Sequence, residues 1–138
     1  MNASIDLIHR YHDAFNRADW PGMLDLLDEH VVHDLNQGRR EVGRERFAAF
    51  LQRTTASYEE QLRNVIVMGD DSGSRAAAEY MIHGVYKATD EGLPLAQGQS
   101  YALPGGAFFE IANDKIVRVS NYYNLEDWLS QIRRIDVD

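Results

Sequence analysis

Cysteine is absent from the 138 residues, so the chain can hold no disulfide, thiolate nucleophile or zinc–sulfur site. Basic residues are scarce, 14 Lys and Arg against 22 Asp and Glu, and the resulting charge of −8 argues against a nucleic-acid partner. Phosphate binding is driven by clustered cations that displace counterions. No apolar run approaches the roughly 20 residues needed to cross a bilayer, so no membrane partner is expected. The opening Met1-Asn2-Ala3-Ser4-Ile5-Asp6 lacks the basic and apolar regions of a signal peptide, which makes the cytoplasm the expected compartment. The Gly-x-Ser-x-Gly elbow of serine hydrolases and the glycine patterns that cradle dinucleotides or phosphates are missing as well. Gly105-Gly106, after Pro104, reads as a strand bulge instead.

What remains is the ordinary composition of one globular domain spanning 1–138, with 44% hydrophobic and 26% charged residues. Ile5, Ile8, His12 and Phe15 recur at helical spacing with Tyr11 beside them, predicting an amphipathic helix that ends near Asn16-Arg17. Asp19 can cap a second helix with Pro21 in its first turn and Trp20, Met23, Leu24 and Leu27 as its apolar stripe. Val31 to Asn36 reads as a short strand, Gln37 to Arg40 as a turn, and Arg44 to about Thr55 as a third helix carrying Phe47, Phe50 and Leu51 on one face.

From Tyr58 onward the pattern becomes that of long strands, Tyr58–Met68, Arg75–Lys87, Gln97–Ile111 and Lys115–Tyr123. Asn113-Asp114 suits a tight hairpin and the region around Gly92-Leu93-Pro94 a longer loop. Asn124 caps a last short helix, and Val137-Asp138 read as a frayed tail. Helices first and an antiparallel meander afterwards predict an α+β fold with a curved sheet wrapped on N-terminal helices, enclosing a cavity.

Several side chains on these elements could carry chemistry. Alternation puts Val32, Asp34 and Asn36 on one face of the first strand and Val31, His33 and Leu35 on the other. A carboxylate such as Asp34 can abstract a proton if apolar walls raise its pKa and a carbonyl lies within reach. Alternatively, it caps the following turn or pairs with Arg39, Arg40 or Arg44. Glu79, Met81 and His83 share a face of the second long strand, where Glu79 and His83 lie roughly 13 Å apart and can meet only different parts of a ligand. They read equally as a solvated sheet face. Asn121 can donate to a ligand oxygen or bond a neighbouring strand, and Tyr122-Tyr123 supply packing area. His30, His33, Asp34 and His83 make neither a His-Glu-x-x-His helix nor a complete ligand set, so no metal and no cofactor are expected.

The order helix, helix, strand, helix, curved meander resembles the ketosteroid isomerase-like, or SnoaL-like, branch of the nuclear transport factor 2-like (cystatin-like) superfamily over nearly the whole chain. His33-Asp34-Leu35-Asn36-Gln37-Gly38, Glu41-Val42-Gly43-Arg44, Arg75-Ala76-Ala77-Ala78-Glu79, Asp90-Glu91-Gly92-Leu93-Pro94 and Gly106-Ala107-Phe108-Phe109-Glu110 are similar to its steroid Δ-isomerase-related subgroup. In ketosteroid isomerases one Asp moves a proton beside a carbonyl while a Tyr and a protonated Asp stabilise the enolate. The resemblance implies Asp34 as that base and Tyr11 as the tyrosine, in a cone-shaped fold. Where the family has its second Asp this chain reads Gly105-Gly106-Ala107-Phe108, and loss of one such donor costs about 100- to 1000-fold in rate.

Two functions follow as expectations. One is a cofactor-independent isomerase or cyclase acting on a small hydrophobic carbonyl compound, with Glu79, His83, Asn121, Tyr123, Trp20 and Phe50 shaping its site. The other is a non-catalytic ligand-binding or interaction module of the same fold. The resemblance also implies a homodimer paired through the sheets.

Overall fold

The computed structural model describes residues 2–133, and the expected fraying of Val137-Asp138 lies outside them. Helix α1 (Ala3–Asn16) starts where the Asn2 side chain accepts from the Ser4 N–H, and α2 (Trp20–Asp25) starts where Asp19 accepts from Gly22. The chain continues through β1 (Leu27–Asp34), β2 (Arg40–Val42), α3 (Arg44–Ser57), β3 (Tyr58–Gly69), β4 (Arg75–Tyr86), β5 (Gln99–Ala112), β6 (Lys115–Tyr123) and α4 (Leu125–Ile132). Helix α3 runs to Ser57, past the expected Thr55, and within it the Thr54 and Thr55 hydroxyls bond back to the Phe50 and Leu51 carbonyls.

The sheet has six strands in the order β2-β1-β6-β5-β4-β3. Strands β3 to β6 form the expected meander. A single parallel pairing, β1 with β6, joins the early β1–β2 hairpin to it. Strand β1 begins at Leu27, four residues before the expected Val31, because Leu27 already pairs with Ile116. Arg40, expected in a turn, belongs to β2 and lies opposite Asp34.

The sheet is curved and unclosed, and its irregularities explain part of the bend. Register shifts fall between Arg63 and Ile66, where Asn64 has φ +56°, and between Glu110 and Ile111. The bulge expected at Gly105-Gly106 is not there, since pairing runs unbroken through both residues. Gly105 is needed for packing instead: a Cβ would come within 2.7 Å of Ile82 Cδ1 and 2.9 Å of the Tyr80 ring. The β5–β6 pairing stops at Gly105–Tyr123, so Pro104 forfeits no bond to β6. There α4 takes over the strand edge, with the Gln131 amide bonding both the N–H and the carbonyl of Ala102 at 2.8 and 2.9 Å.

The sheet's two faces differ sharply in burial. Along β4, Ala76, Ala78, Tyr80, Ile82, Gly84 and Tyr86 are all buried, whereas Glu79 and Val85 are exposed. The buried row meets Leu7, Ile8 and Tyr11 of α1 and Phe47 and Leu51 of α3 in one core, with Phe109 and Val119 from the neighbouring strands. The opposite face is open, presenting Ile66, Met68, Phe108 and Tyr122 to solvent.

Candidate functional site

The expectation that Asp34 faces the enclosed side is corrected by its neighbours. His33 is 2% exposed and packs on Phe47 and Phe50 of α3, with ring centroids 4.4 and 4.8 Å away. Successive strand residues point to opposite faces, so Asp34 projects from the open face. There Arg40 grips it with two bonds, Nε to Oδ1 at 2.6 Å and Nη2 to Oδ2 at 3.1 Å. The Ser120 hydroxyl adds a third to Oδ2 at 2.6 Å. Arg118 bonds Ser120 and Glu110, and Glu110 also pairs with Arg75, extending a chain of alternating charge across the sheet. The Arg40 bonds above all, helped by Ser120 and by the charges of Arg40 and Arg118, lower the Asp34 pKa from 3.8 to about 2. Of the readings open from sequence, pairing with Arg40 is the one observed.

The other expected residues divide between the faces. Tyr11 is buried against Phe109 and His12 at centroid distances of 5.6 and 5.3 Å, and burial pushes its hydroxyl far above the usual tyrosine range. It is on the opposite side of the sheet from Asp34, so the two are not brought together. Glu79 and His83, expected to shape the enclosed site, share the open face. Glu79 lines a groove of about 660 Å³ with Met81, Pro104 and Tyr122, which also reaches Asn36, Tyr80 and Tyr123. Trp20 packs on Phe15 at the helical layer, and Phe50 caps His33. Ala107, at the place of the family's second Asp, is a buried core residue paired with Asn121.

The inward group on β1 is therefore His33. Its Nε2 is 3.1 Å from the Asn121 side-chain amide. Burial lowers its pKa to about 4, against the opposing pull of Glu41 and Asp34. Glu41 lies opposite it on β2. His33 Nδ1, Glu41 Oε1 and Asn36 Nδ2 are buried and have no hydrogen-bond partner among the described residues. Asn36 Oδ1 accepts from the Tyr123 N–H, so Asn36 sits at the sheet end beside Tyr123, while His33 and Asn121 face the enclosed side.

A second polar group at the other end was not foreseen. Glu60 Oε2 accepts a 2.5 Å bond from the hydroxyl of Tyr101, which is 3% exposed. Burial raises the Glu60 pKa, partly offset by that bond. His12, inward on α1, is likewise pulled down to about 4 by burial. Among the described residues no group of His, Asp and Glu is arranged to hold a metal ion, and no helix is long and apolar enough to span a membrane.

The model of the SnoaL-like domain matches residues 8–119. A crystal structure from Xanthomonas campestris, provisionally named a polyketide cyclase, is 56% identical and superposes with a TM-score of 0.93 over 94% of this chain and 96% of its own. A Pseudomonas putida protein with the same provisional name is 53% identical, with a TM-score of 0.93 over 96% of this chain and 98% of its own. A protein from Kribbella flavida provisionally named a ketosteroid isomerase is 20% identical, with a TM-score of 0.62 over 88% of this chain and 78% of its own, and shows the fold alone. No curated protein matches the sequence.

Proposed function

Because the chain belongs to the SnoaL-like domain family, we propose that it is an isomerase or cyclase for a small hydrophobic carbonyl compound, with His33 in place of Asp34 as the proton acceptor. The observation that carries this reading is the inward, neutral imidazole of His33, walled by Phe47 and Phe50 and bonded to Asn121. Asn121 stands with Nδ2 toward Nε2; a half-turn of its amide brings the oxygen there instead, puts the ring proton on Nε2 and frees the Nδ1 lone pair. Nδ1 then takes a proton from the carbon beside the carbonyl, leaving an enolate that reprotonates elsewhere or attacks a second carbonyl. The provisional cyclase names of the two relatives above half identity support the same class of chemistry.

The test needs no native substrate. 2-Tetralone in D2O is expected to exchange its α-protons faster with the protein than without it, as followed by proton NMR. His33→Gln should abolish the acceleration and Asp34→Asn should preserve it. Loss of exchange in Asp34→Asn with retention in His33→Gln would restore Asp34 as the base. The second reading, a binding module without chemistry, is favoured by the Arg40 grip on Asp34 and by Ala107 at the place of the second acid. No acceleration by the unaltered protein would decide for it.

We also propose pairing of two copies through the open sheet face, supported by the exposed Ile66, Met68, Phe108 and Tyr122. A monomer in light scattering at high concentration would count against this.

A further inference from the structure

We propose that Glu60 and Tyr101 form a second oxygen-binding subsite, which selects hydrophobic ligands carrying a hydroxyl or carbonyl group at the end remote from the reacting carbonyl. This rests on the reading that the enclosed face takes a hydrophobic carbonyl compound.

The pair is built by the register of three strands. Glu60 lies opposite Gly84, and Gly84 lies opposite Tyr101. A Cβ on Gly84 would overlap the Tyr101 ring and hydroxyl. The glycine is therefore a notch through which Tyr101 crosses a whole strand to reach Glu60. Tyr101 occupies Oε2, which leaves Oε1 for solvent or a ligand. A carboxyl inside an aromatic shell is costly unless it is partnered. Here Tyr101 is itself flanked by Trp128, with ring centroids 6.0 Å apart, and Tyr80 lies close enough to feel the Glu60 charge.

Burial holds the Glu60 pKa above the ordinary carboxyl value. In its neutral form Oε1 donates to a ligand carbonyl, and in its ionised form it accepts from a ligand hydroxyl. The site and the His33 cluster are joined by Tyr123, which packs on Trp128 at 6.3 Å and gives its N–H to Asn36. The Tyr101 row of β5 and the Ala107 row that meets Asn121 are six residues apart, roughly 20 Å along the strand before side chains lean inward. A ligand touching both is elongated and oxygenated at both ends.

Benzylideneacetone and 4-hydroxybenzylideneacetone, too short to reach both ends, differ only by a hydroxyl that probes the Glu60 end alone. Absorbance titration of the full chain is expected to show the hydroxylated ketone binding about tenfold more tightly, the worth of one well-placed hydrogen bond to a carboxyl group. In Glu60→Met the preference should fall to near unity. Tyr101→Phe, which leaves the ring on Gly84, should reduce the preference at least threefold and keeps the test decisive if Glu60→Met does not fold. Equal binding of the two ketones by the unaltered protein overturns the subsite, as does a preference that survives in either folded variant. Exchange of 2-tetralone, which has one oxygen, reports on His33 independently, so the two readings fail separately.

Discussion

Replacing Asp34 by Asn should weaken the fold without touching the chemistry. The amide keeps the shape of the carboxylate but removes the charge that Arg40, Ser120 and Arg118 surround. The fall of the Asp34 pKa from 3.8 to about 2 is worth at most about 2.5 kcal/mol. The Arg40 side chain is 60% exposed, and solvent screening cuts the expected loss to about 1–2 kcal/mol. The sign of the pH dependence follows from the depressed pKa. The contribution is complete above about pH 4 and is lost as the pH falls toward about 2, where the native carboxylate is protonated as well. Urea unfolding followed through Trp20 and Trp128 should therefore separate the two proteins at neutral pH and bring their midpoints together in acid. Equal stability at neutral pH, or a gap that persists below about pH 2, would refute the argument that the ion pair, and not the shape of the side chain, holds β1 to β2.

Three further outcomes can be measured. Asp114, at φ 60° in the Asn113-Asp114 turn, should gain about 0.5 kcal/mol when replaced by glycine, which adopts that conformation without strain, read from the thermal midpoint. Gly84→Ala should destabilise by about 1–3 kcal/mol, because the Tyr101 ring must leave its seat, and Tyr101→Ala in the same chain should recover part of the loss in urea unfolding. Phe108→Glu, on the open face beside Tyr122 at a centroid distance of 5.6 Å, should leave helix content unchanged in circular dichroism while lowering the mass in light scattering if two copies pair there.

The boundaries of the later strands were legible because alternation and turn chemistry are local. Lys115–Tyr123 and the hairpin before it follow from β-branched residues and Asn113-Asp114 alone. Alternation also sorted His33 from Asp34 correctly, but it could not say which of them faces the helices. That is decided by contacts distant in sequence: α3 lies over His33, and β6 brings Ser120 and Arg118 to Asp34. Glu60 was illegible for a related reason. In Tyr58-Glu59-Glu60-Gln61 a carboxylate reads as a solvated edge, and only its position opposite Gly84 reveals a buried acid. The signal available in the sequence was Gly84 itself, an isolated glycine within a strand, which marks a close approach. Gly105 gives the same kind of signal: its missing Cβ makes a seat for Tyr80 and Ile82 and no bulge.

The one-residue offset between His33 and Asp34 can be turned into a measurement. His33→Asp would place a carboxylate on the enclosed face between Phe47 and Phe50, beside Asn121 and opposite Glu41. Desolvation then raises its pKa, the reverse of what Arg40 does for Asp34 one position along. For a carboxyl with a raised folded pKa, the folded state is favoured at low pH and loses stability as the pH climbs past the unfolded value of about 3.9, because ionisation is easier in the unfolded chain. The variant should thus lie closest to the non-titrating His33→Asn near pH 4 and fall behind it by about 1–3 kcal/mol at pH 8, a reference that also removes the parent's own His33 titration. In urea unfolding, the gap between the two proteins should widen as the pH rises. A gap independent of pH would mean that the introduced carboxylate reaches water, and the assignment of that face of β1 as the enclosed one would have to be abandoned.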